Sequence, residues 1–216
     1  MQGDLSMVLP LYLAMSAVEM RPIPRPAFLV LEDSQIPPAG VLPVITDAFP
    51  LDRQTLLRLC QGREAVLLDF ERPPTEEVRE MIRHLPCPAA APPGYSDKGP
   101  VFLPPAPLHM PMEEYLSPWK GREIWLEAAL QRQVVTVTAE GCTVFPPCTN
   151  TDFEGGFYSE KLQCRFRQNF SENQAIFTIF DTPDTLRIKL DRAGELGVTR
   201  AIGLFQELGE KHMSTY

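Results

Sequence analysis

Residues 64–72 read Glu-Ala-Val-Leu-Leu-Asp-Phe-Glu-Arg, an apolar run that ends abruptly in acids. Residues 65–70 predict a buried strand. Because side chains two residues apart on a strand point to the same face, Asp69 and Glu71 are expected to stand together, roughly 7 Å apart at their Cα atoms. In parallel α/β folds, ligands bind at the carboxyl ends of the strands. The two acids therefore mark either a ligand site or the solvated exit of a strand.

The segments on either side of this strand alternate between strand and helix. Upstream, residues 40–46 predict a strand that ends at Asp47, and Asp52 suits the N-cap of a helix that runs through Cys60. Downstream, Thr75 follows two prolines and precedes two acids, which predicts the start of a second helix. Strands and helices with short connections are typical of a parallel sheet with crossover helices.

The remaining segments are more varied. Two strands are predicted near the start, at residues 7–15 and at residues 27–31, and the second ends in acids that include Asp33. The proline-rich residues 86–118 predict short strands joined by loops rather than helices. Residues 123–130 fit a strand ending near Glu127, although their composition also fits a helix. Residues 134–145 predict a hairpin turning at Glu140 and Gly141.

The C-terminal section has the form strand, helix, strand. Residues 175–180 predict a strand, and Thr182 before Pro183 predicts the cap of a helix that ends at Gly197. Residues 199–205 predict the last strand. Two strands joined by a helix in this way predict a right-handed βαβ unit within one parallel sheet.

Composition limits the classes of protein to consider. The 216 residues suit one domain, residues 1–216, with 44% hydrophobic content. A net charge of −8 without a basic run argues against nucleic acid or an anionic membrane as a partner. It identifies no other partner and leaves the oligomeric state undetermined.

The cysteines and motifs argue against a metal or cofactor. Five cysteines form no Cys-x-x-Cys pair, and Cys142 and Cys148 stand six residues apart, so neither a disulfide framework nor a zinc site is expected. No phosphate-binding or dinucleotide-binding glycine motif is present. We therefore expect no cofactor.

The N-terminal segment bears on the compartment. The apolar residues 7–18 lack the basic flank of a signal peptide and are too short to span a bilayer. We therefore expect a cytoplasmic protein. The odd number of cysteines also suggests a reducing compartment. A spore compartment reached without a signal is the alternative.

Two stretches carry a resemblance to a known family, the family 18 glycoside hydrolases, and above all to their spore-associated and peptidoglycan-acting members. The family's fourth strand ends in D-x-x-D-x-D-x-E, and Glu64, Leu67, Asp69 and Glu71 occupy those four positions. Residues 177–205 resemble the family's seventh strand, final helix and eighth strand. The resemblance implies a reduced (β/α) TIM-type barrel with some crossover helices missing, because such barrels typically need about 250 residues.

The resemblance also implies a reaction and roles for two residues. The reaction is substrate-assisted hydrolysis of glycans that contain β-linked N-acetylglucosamine, outside the usual two-carboxylate scheme. Glu71 would protonate the glycosidic oxygen. Asp69 would raise the pKa of Glu71 and orient the substrate's 2-acetamido group, whose carbonyl oxygen attacks the anomeric carbon.

The substrate-binding residues of that family are matched less directly. It usually places a tyrosine on the sixth strand, for which residues 123–130 are the best match, but they offer Glu127 instead. Tyr12 or Tyr158 would have to supply the hydroxyl. The family's tryptophan after the eighth strand is also absent, and Gln206 is the polar candidate there.

Those departures leave three interpretations of the chain. It is a glycoside hydrolase, or a catalytically inactive barrel that binds a glycan or protein partner, or a structural protein without a small ligand. The acids Asp33, Asp47 and Glu127 are also explained as solvated strand ends. Trp119 and Trp125 fit either sugar stacking or ordinary packing.

Overall fold

The structure is a computed structural model that describes residues 9–16, 27–30, 36–38, 40–47 and 52–208. Eight parallel strands form the main sheet, and six antiparallel strands form a second sheet inserted before the last parallel strand. The first seven parallel strands are β1 (Leu11–Ser16), β2 (Ala27–Val30), β3 (Leu42–Thr46), β4 (Val66–Asp69), β5 (Ala89–Ala90), β6 (Val101–Leu103) and β7 (Ile124–Ala128). The second sheet comprises β8 (Gln131–Thr138), β9 (Gly141–Val144), β10 (Cys148–Thr149), β11 (Phe157–Ser159), β12 (Cys164–Ser171) and β13 (Gln174–Phe180). The last parallel strand is β14 (Val198–Leu204).

The parallel strands close into a ring. Their order is β5-β4-β3-β2-β1-β14-β7-β6, so each strand lies beside the next parallel strand of the chain. A parallel bridge between Ala91 and Val101 joins the two ends, and the amide of Phe102 donates to the Ala91 carbonyl at 2.8 Å. The fold is therefore the predicted TIM-type barrel.

Five helices accompany the strands in the described part of the chain, and three of them begin at predicted caps. Their bounds are α1 (Arg53–Cys60), α2 (Glu76–Arg83), α3 (Met112–Leu116), α4 (Pro183–Glu195) and α5 (Phe205–Leu208). The side chains of Asp52, Thr75 and Thr182 each accept a hydrogen bond from the backbone amide three residues on. These caps confirm the predicted starts of α1, α2 and α4.

The proline-rich segment lacks the crossover helix between β5 and β6, as a reduced barrel requires. Residues 91–100, which connect β5 to β6, contain no helix. The expectation of loops throughout the segment is wrong at α3, which is followed by a 3₁₀ turn, Ser117–Trp119. Pro111 precedes the first turn of α3, and Glu113 and Glu114 lie within it, where a proline entry and acids stabilise a helix start.

The predicted C-terminal βαβ unit is wrong. β13 pairs antiparallel with β8 and β12, whereas β14 pairs parallel with β1 and β7. The seventh barrel strand is therefore β7, which had been matched to the sixth strand of the resembling family. Most β13 side chains are half-buried, as suits a sheet with a solvated face, whereas the side chains of β4 and β7 are mostly buried.

Side chains fill the inside of the barrel. Ten buried residues form this interior cluster: Ala14, Phe28, Leu42, Val44, Ala65, Leu67, Ala90, Phe102, Trp125 and Ile202. Trp125 is 1% exposed and packs edge-on against Phe28 at 5.9 Å between ring centroids. Trp125 is thus a packing residue rather than a sugar platform. Because the interior is filled, a ligand can enter only at an end of the barrel.

Candidate active site

Among the described residues, five carboxylates lie at the carboxyl ends of the barrel strands. Asp47 follows β3, Asp69 ends β4, Glu71 lies two residues beyond β4, Glu127 lies in β7 and Glu207 lies in α5 directly after β14. The carboxyl end of the barrel, called the mouth below, is therefore strongly acidic.

Strand alternation aims two of these acids at the barrel axis. Ala65 and Leu67 belong to the interior cluster, and Asp69 continues their face of β4. In the same way, Trp125 belongs to the cluster and Glu127 follows it on the same face of β7. Asp69 and Glu127 therefore point into the mouth from different sides of the ring, above the apolar interior.

Burial, and then neighbouring negative charge, raises the pKa of both residues. Burial, then the charge of Asp69, then that of Glu207 raise the pKa of Glu127 to about 7. Asp69 is exposed at the end of β4, yet neighbouring atoms desolvate part of its carboxylate. This desolvation raises the pKa of Asp69, with smaller effects from the charges of Glu71 and Asp47. Near neutral pH, the mouth can therefore hold a proton on Glu127 beside a carboxylate.

Asp47 has a defined structural role. Its two carboxylate oxygens accept hydrogen bonds from the backbone amides of Glu71, at 3.2 Å, and Arg72, at 2.8 Å. Asp47 therefore fixes the start of the β4–α2 loop, and with it the backbone that carries Glu71. The sequence identified Asp47 only as an acid at a strand end.

Tyr115 is a mouth residue that the sequence did not reveal. Its hydroxyl donates to the Pro104 carbonyl, just beyond β6, at 2.7 Å. Burial, followed by the charge of Glu127, raises its pKa, so the hydroxyl stays neutral. The residue was missed because its helix, α3, was expected to be a loop.

The other predicted binding residues are dispersed. Tyr12 packs among interior residues against Phe28 and beneath the Arg200 guanidinium, which pairs with Glu64 at the amino end of β4. It thus lies towards the end of the barrel opposite the mouth.

Tyr158 lies on β11 of the second sheet and is 43% exposed. Gln206 lies on α5, next to Glu207, and so belongs to the mouth. The structure therefore brings together Asp69, Glu71, Glu127 and Gln206, but neither tyrosine. Asp33 falls outside the described residues, and Trp119 is a half-buried packing residue.

The second sheet reaches the mouth through β10. The Thr149 hydroxyl donates to Glu207 Oε1 at 3.1 Å. No three His, Cys, Asp or Glu side chains in the described ranges could together hold a metal ion. Within the same ranges, no helix is long and apolar enough to cross a bilayer.

Comparisons with known proteins add little to this geometry. No protein-family profile matches the chain, and neither does any curated protein sequence. Among solved structures, the spore cortex-lytic enzyme SleL of Bacillus cereus is similar, with 11% identity and a TM-score of 0.46 over 93% of this chain and 71% of that one. Likeness at this level shows neither a shared family nor a shared activity. The function must therefore be argued from the residues of the mouth.

Proposed function

We propose that this protein is a glycoside hydrolase that cleaves glycans containing β-linked N-acetylglucosamine at the mouth of the barrel. The observation that carries the proposal is the pair Asp69 and Glu127, which face the same opening with raised pKa values. A protonated carboxyl beside an ionised one supplies a hydrogen-bond donor and a negative charge that can hold and orient the substrate beside the acid Glu71.

Glu71 and Asp69 carry the reaction in this proposal. Glu71 is exposed and gives its proton to the glycosidic oxygen as the bond to the anomeric carbon breaks. The acetamido carbonyl oxygen of the substrate attacks that carbon, while Asp69 accepts a hydrogen bond from the acetamido N–H. Water then opens the cyclic intermediate and gives a proton back to Glu71.

Glu127 takes the place of the tyrosine that the resembling family uses. With a pKa of about 7, its carboxyl is substantially protonated at neutral pH. A neutral carboxyl held in this way can donate a hydrogen bond that orients an oxygen of the substrate. The proposed acceptor is the acetamido carbonyl oxygen, and Gln206 binds the sugar at the rim.

One observation favours the second candidate function, an inactive barrel that binds a glycan or protein partner. One face of the second sheet exposes aromatic rings: Phe157 is 62% exposed and Phe170 is 64% exposed. Phe166 pairs directly with Phe157, and Phe177 contacts Phe170, so all four rings share that face. Exposed apolar area of this kind marks interaction surfaces.

The test is release of 4-methylumbelliferone from N-acetyl-chito-oligosaccharide conjugates, measured at equal folded concentration. Glu71→Gln should abolish turnover, Asp69→Asn should lower kcat by about 10²-fold or more, and Glu127→Gln should lower kcat less because an amide still donates. Glu140→Gln, on an exposed hairpin turn, is the matched control and should match the wild type.

Two results would reject catalysis at the mouth. One is turnover by Glu71→Gln equal to that of the control. The other is no turnover by the wild type together with a rise in its melting temperature on adding the same sugars, which would select the binding function.

A further inference from the structure

A cavity of about 210 Å³ lies outside the barrel, between α1, α2 and the loop that follows β5. Its apolar lining consists of Leu56, Phe70, Pro73, Val78, Met81 and Ile82. Its polar lining consists of Asp47, Arg72, Thr75 and Tyr95. An engineered cavity of about 150 Å³ is large enough to bind benzene, so this one can hold a single ring with a small substituent.

Tyr95 is the unusual member of this lining. Its side chain is 5% exposed, its ring packs edge-on against Phe70 at 5.6 Å, and its hydroxyl has no hydrogen-bond partner among the described residues. A buried hydroxyl without a partner destabilises the folded state, whereas phenylalanine would fill the same space without that cost. A tyrosine here is therefore explained by a partner that comes from outside the chain.

The charges around the cavity define the group that would satisfy Tyr95. The Asp47 carboxylate uses one lone pair of each oxygen for the Glu71 and Arg72 amides, so acceptor capacity remains. Its charge also reaches Tyr95, whose pKa is raised by burial and then by Asp47. Because the lining contains both the Asp47 anion and the Arg72 cation, it does not call for a charged ligand.

The amino end of α2 does not change this conclusion. Thr75 already caps it by accepting from the Val78 amide at 3.3 Å, and Glu76 and Glu77 occupy its first turn. These groups offset the positive end of the helix dipole. An anionic ligand is therefore not favoured there.

We propose that this cavity is a binding site for a neutral, ring-sized molecule that carries one hydroxyl group, such as a phenol. The ring occupies the apolar lining. The hydroxyl accepts a hydrogen bond from Tyr95 and donates one to the Asp47 carboxylate, which only a group that is both donor and acceptor can do. The site shares Asp47 with the rim of the mouth, but its cavity lies outside the ring of strands. The inference therefore goes beyond the proposed hydrolysis and does not depend on it.

Fluorine NMR with two probes tests the inference directly. The probes are 4-fluorophenol and 1,4-difluorobenzene, which match in shape and differ in the hydroxyl. The wild type should bind 4-fluorophenol more tightly by about fivefold to tenfold, the worth of one or two buried hydrogen bonds. In Tyr95→Phe, this preference should fall by about twofold to threefold, because only the hydrogen bond to Asp47 remains.

Thermal unfolding without ligand separates binding from folding. Tyr95→Phe should melt at the same temperature as the wild type or higher, because it removes an unpaired buried hydroxyl. Tyr158→Phe, on the second sheet, is the control and should change neither melting nor probe binding. The inference is overturned by equal affinity of the wild type for both probes, by the absence of saturable binding, or by a lower melting temperature of Tyr95→Phe.

Discussion

Replacing Glu127 with glutamine should stabilise the protein more at alkaline pH than at mildly acidic pH. The folded structure raises the pKa of Glu127 from 4.5 to about 7. Between these values the folded state binds more protons than the unfolded state, so the stability contributed by Glu127 falls as pH rises. Glutamine has nearly the same shape and does not ionise, so it removes this dependence.

The size of the effect follows from the shift. Each pKa unit is worth about 1.4 kcal/mol, so at pH 8.5 the ionised Glu127 destabilises the folded state by about 3 kcal/mol. At pH 5.5 the folded carboxyl is mostly protonated, and the penalty is about 1 kcal/mol. The stabilisation by Glu127→Gln should therefore be about 2 kcal/mol larger at pH 8.5 than at pH 5.5.

Urea unfolding at the two pH values measures this difference. Glu140→Gln removes an equally charged but exposed residue and should change stability by less than about 0.5 kcal/mol at either pH. Carbon-13 NMR of the Glu127 carboxyl gives the pKa independently. Equal stabilisation by Glu127→Gln at both pH values, or a carboxyl that titrates near 4.5, would refute the crowding of charge at the mouth.

Two further substitutions test packing around the site. The buried Asp181 carboxylate lies 2.7 Å from the Lys189 ammonium, and Lys189→Met removes this partner. Urea unfolding should show a loss of about 3–5 kcal/mol in the free energy of unfolding, most of it recovered in Asp181→Asn/Lys189→Met. A double variant no more stable than the single one would contradict this. Gly203→Ala puts a methyl group 2.9 Å from the Ala128 carbonyl oxygen and against Leu208. Thermal unfolding should show a loss of about 1–3 kcal/mol in the free energy of unfolding. An unchanged melting temperature would contradict this and show that α5 moves aside freely.

The sequence predicted the elements that local signals define. Strand β4 and the caps of α1, α2 and α4 each depend on residues within a few positions of one another. It did not predict how β13 pairs, because a strand before a capped helix looks the same whether it joins a parallel sheet or an antiparallel one. That pairing depends on β8, more than 30 residues earlier.

The candidate site was predictable to the same extent. Asp69 and Glu71 stand two positions apart in the sequence, and they carry the resemblance to a known family. Glu127 was recognised as a strand-end acid, but its raised pKa depends on Asp69 and Glu207, which are brought near only when the ring closes. The role of Asp47 likewise depends on backbone amides that lie more than twenty residues away in the chain.

An irregularity in β14 places a cation inside the amino end of the barrel. Val198 pairs with Ile124, but Arg200 rather than Thr199 pairs with Trp125, so one extra residue shifts the register. The shift turns the Arg200 side chain inward, where its guanidinium lies 4.8 Å from the Trp125 ring and 5.3 Å from the Tyr12 ring, and it pairs with Glu64. The Arg200 cation thus stacks on two aromatic rings at the amino end of the barrel. The interior residues between it and the mouth are apolar, so packed side chains separate the Arg200–Glu64 pair from the acids of the mouth.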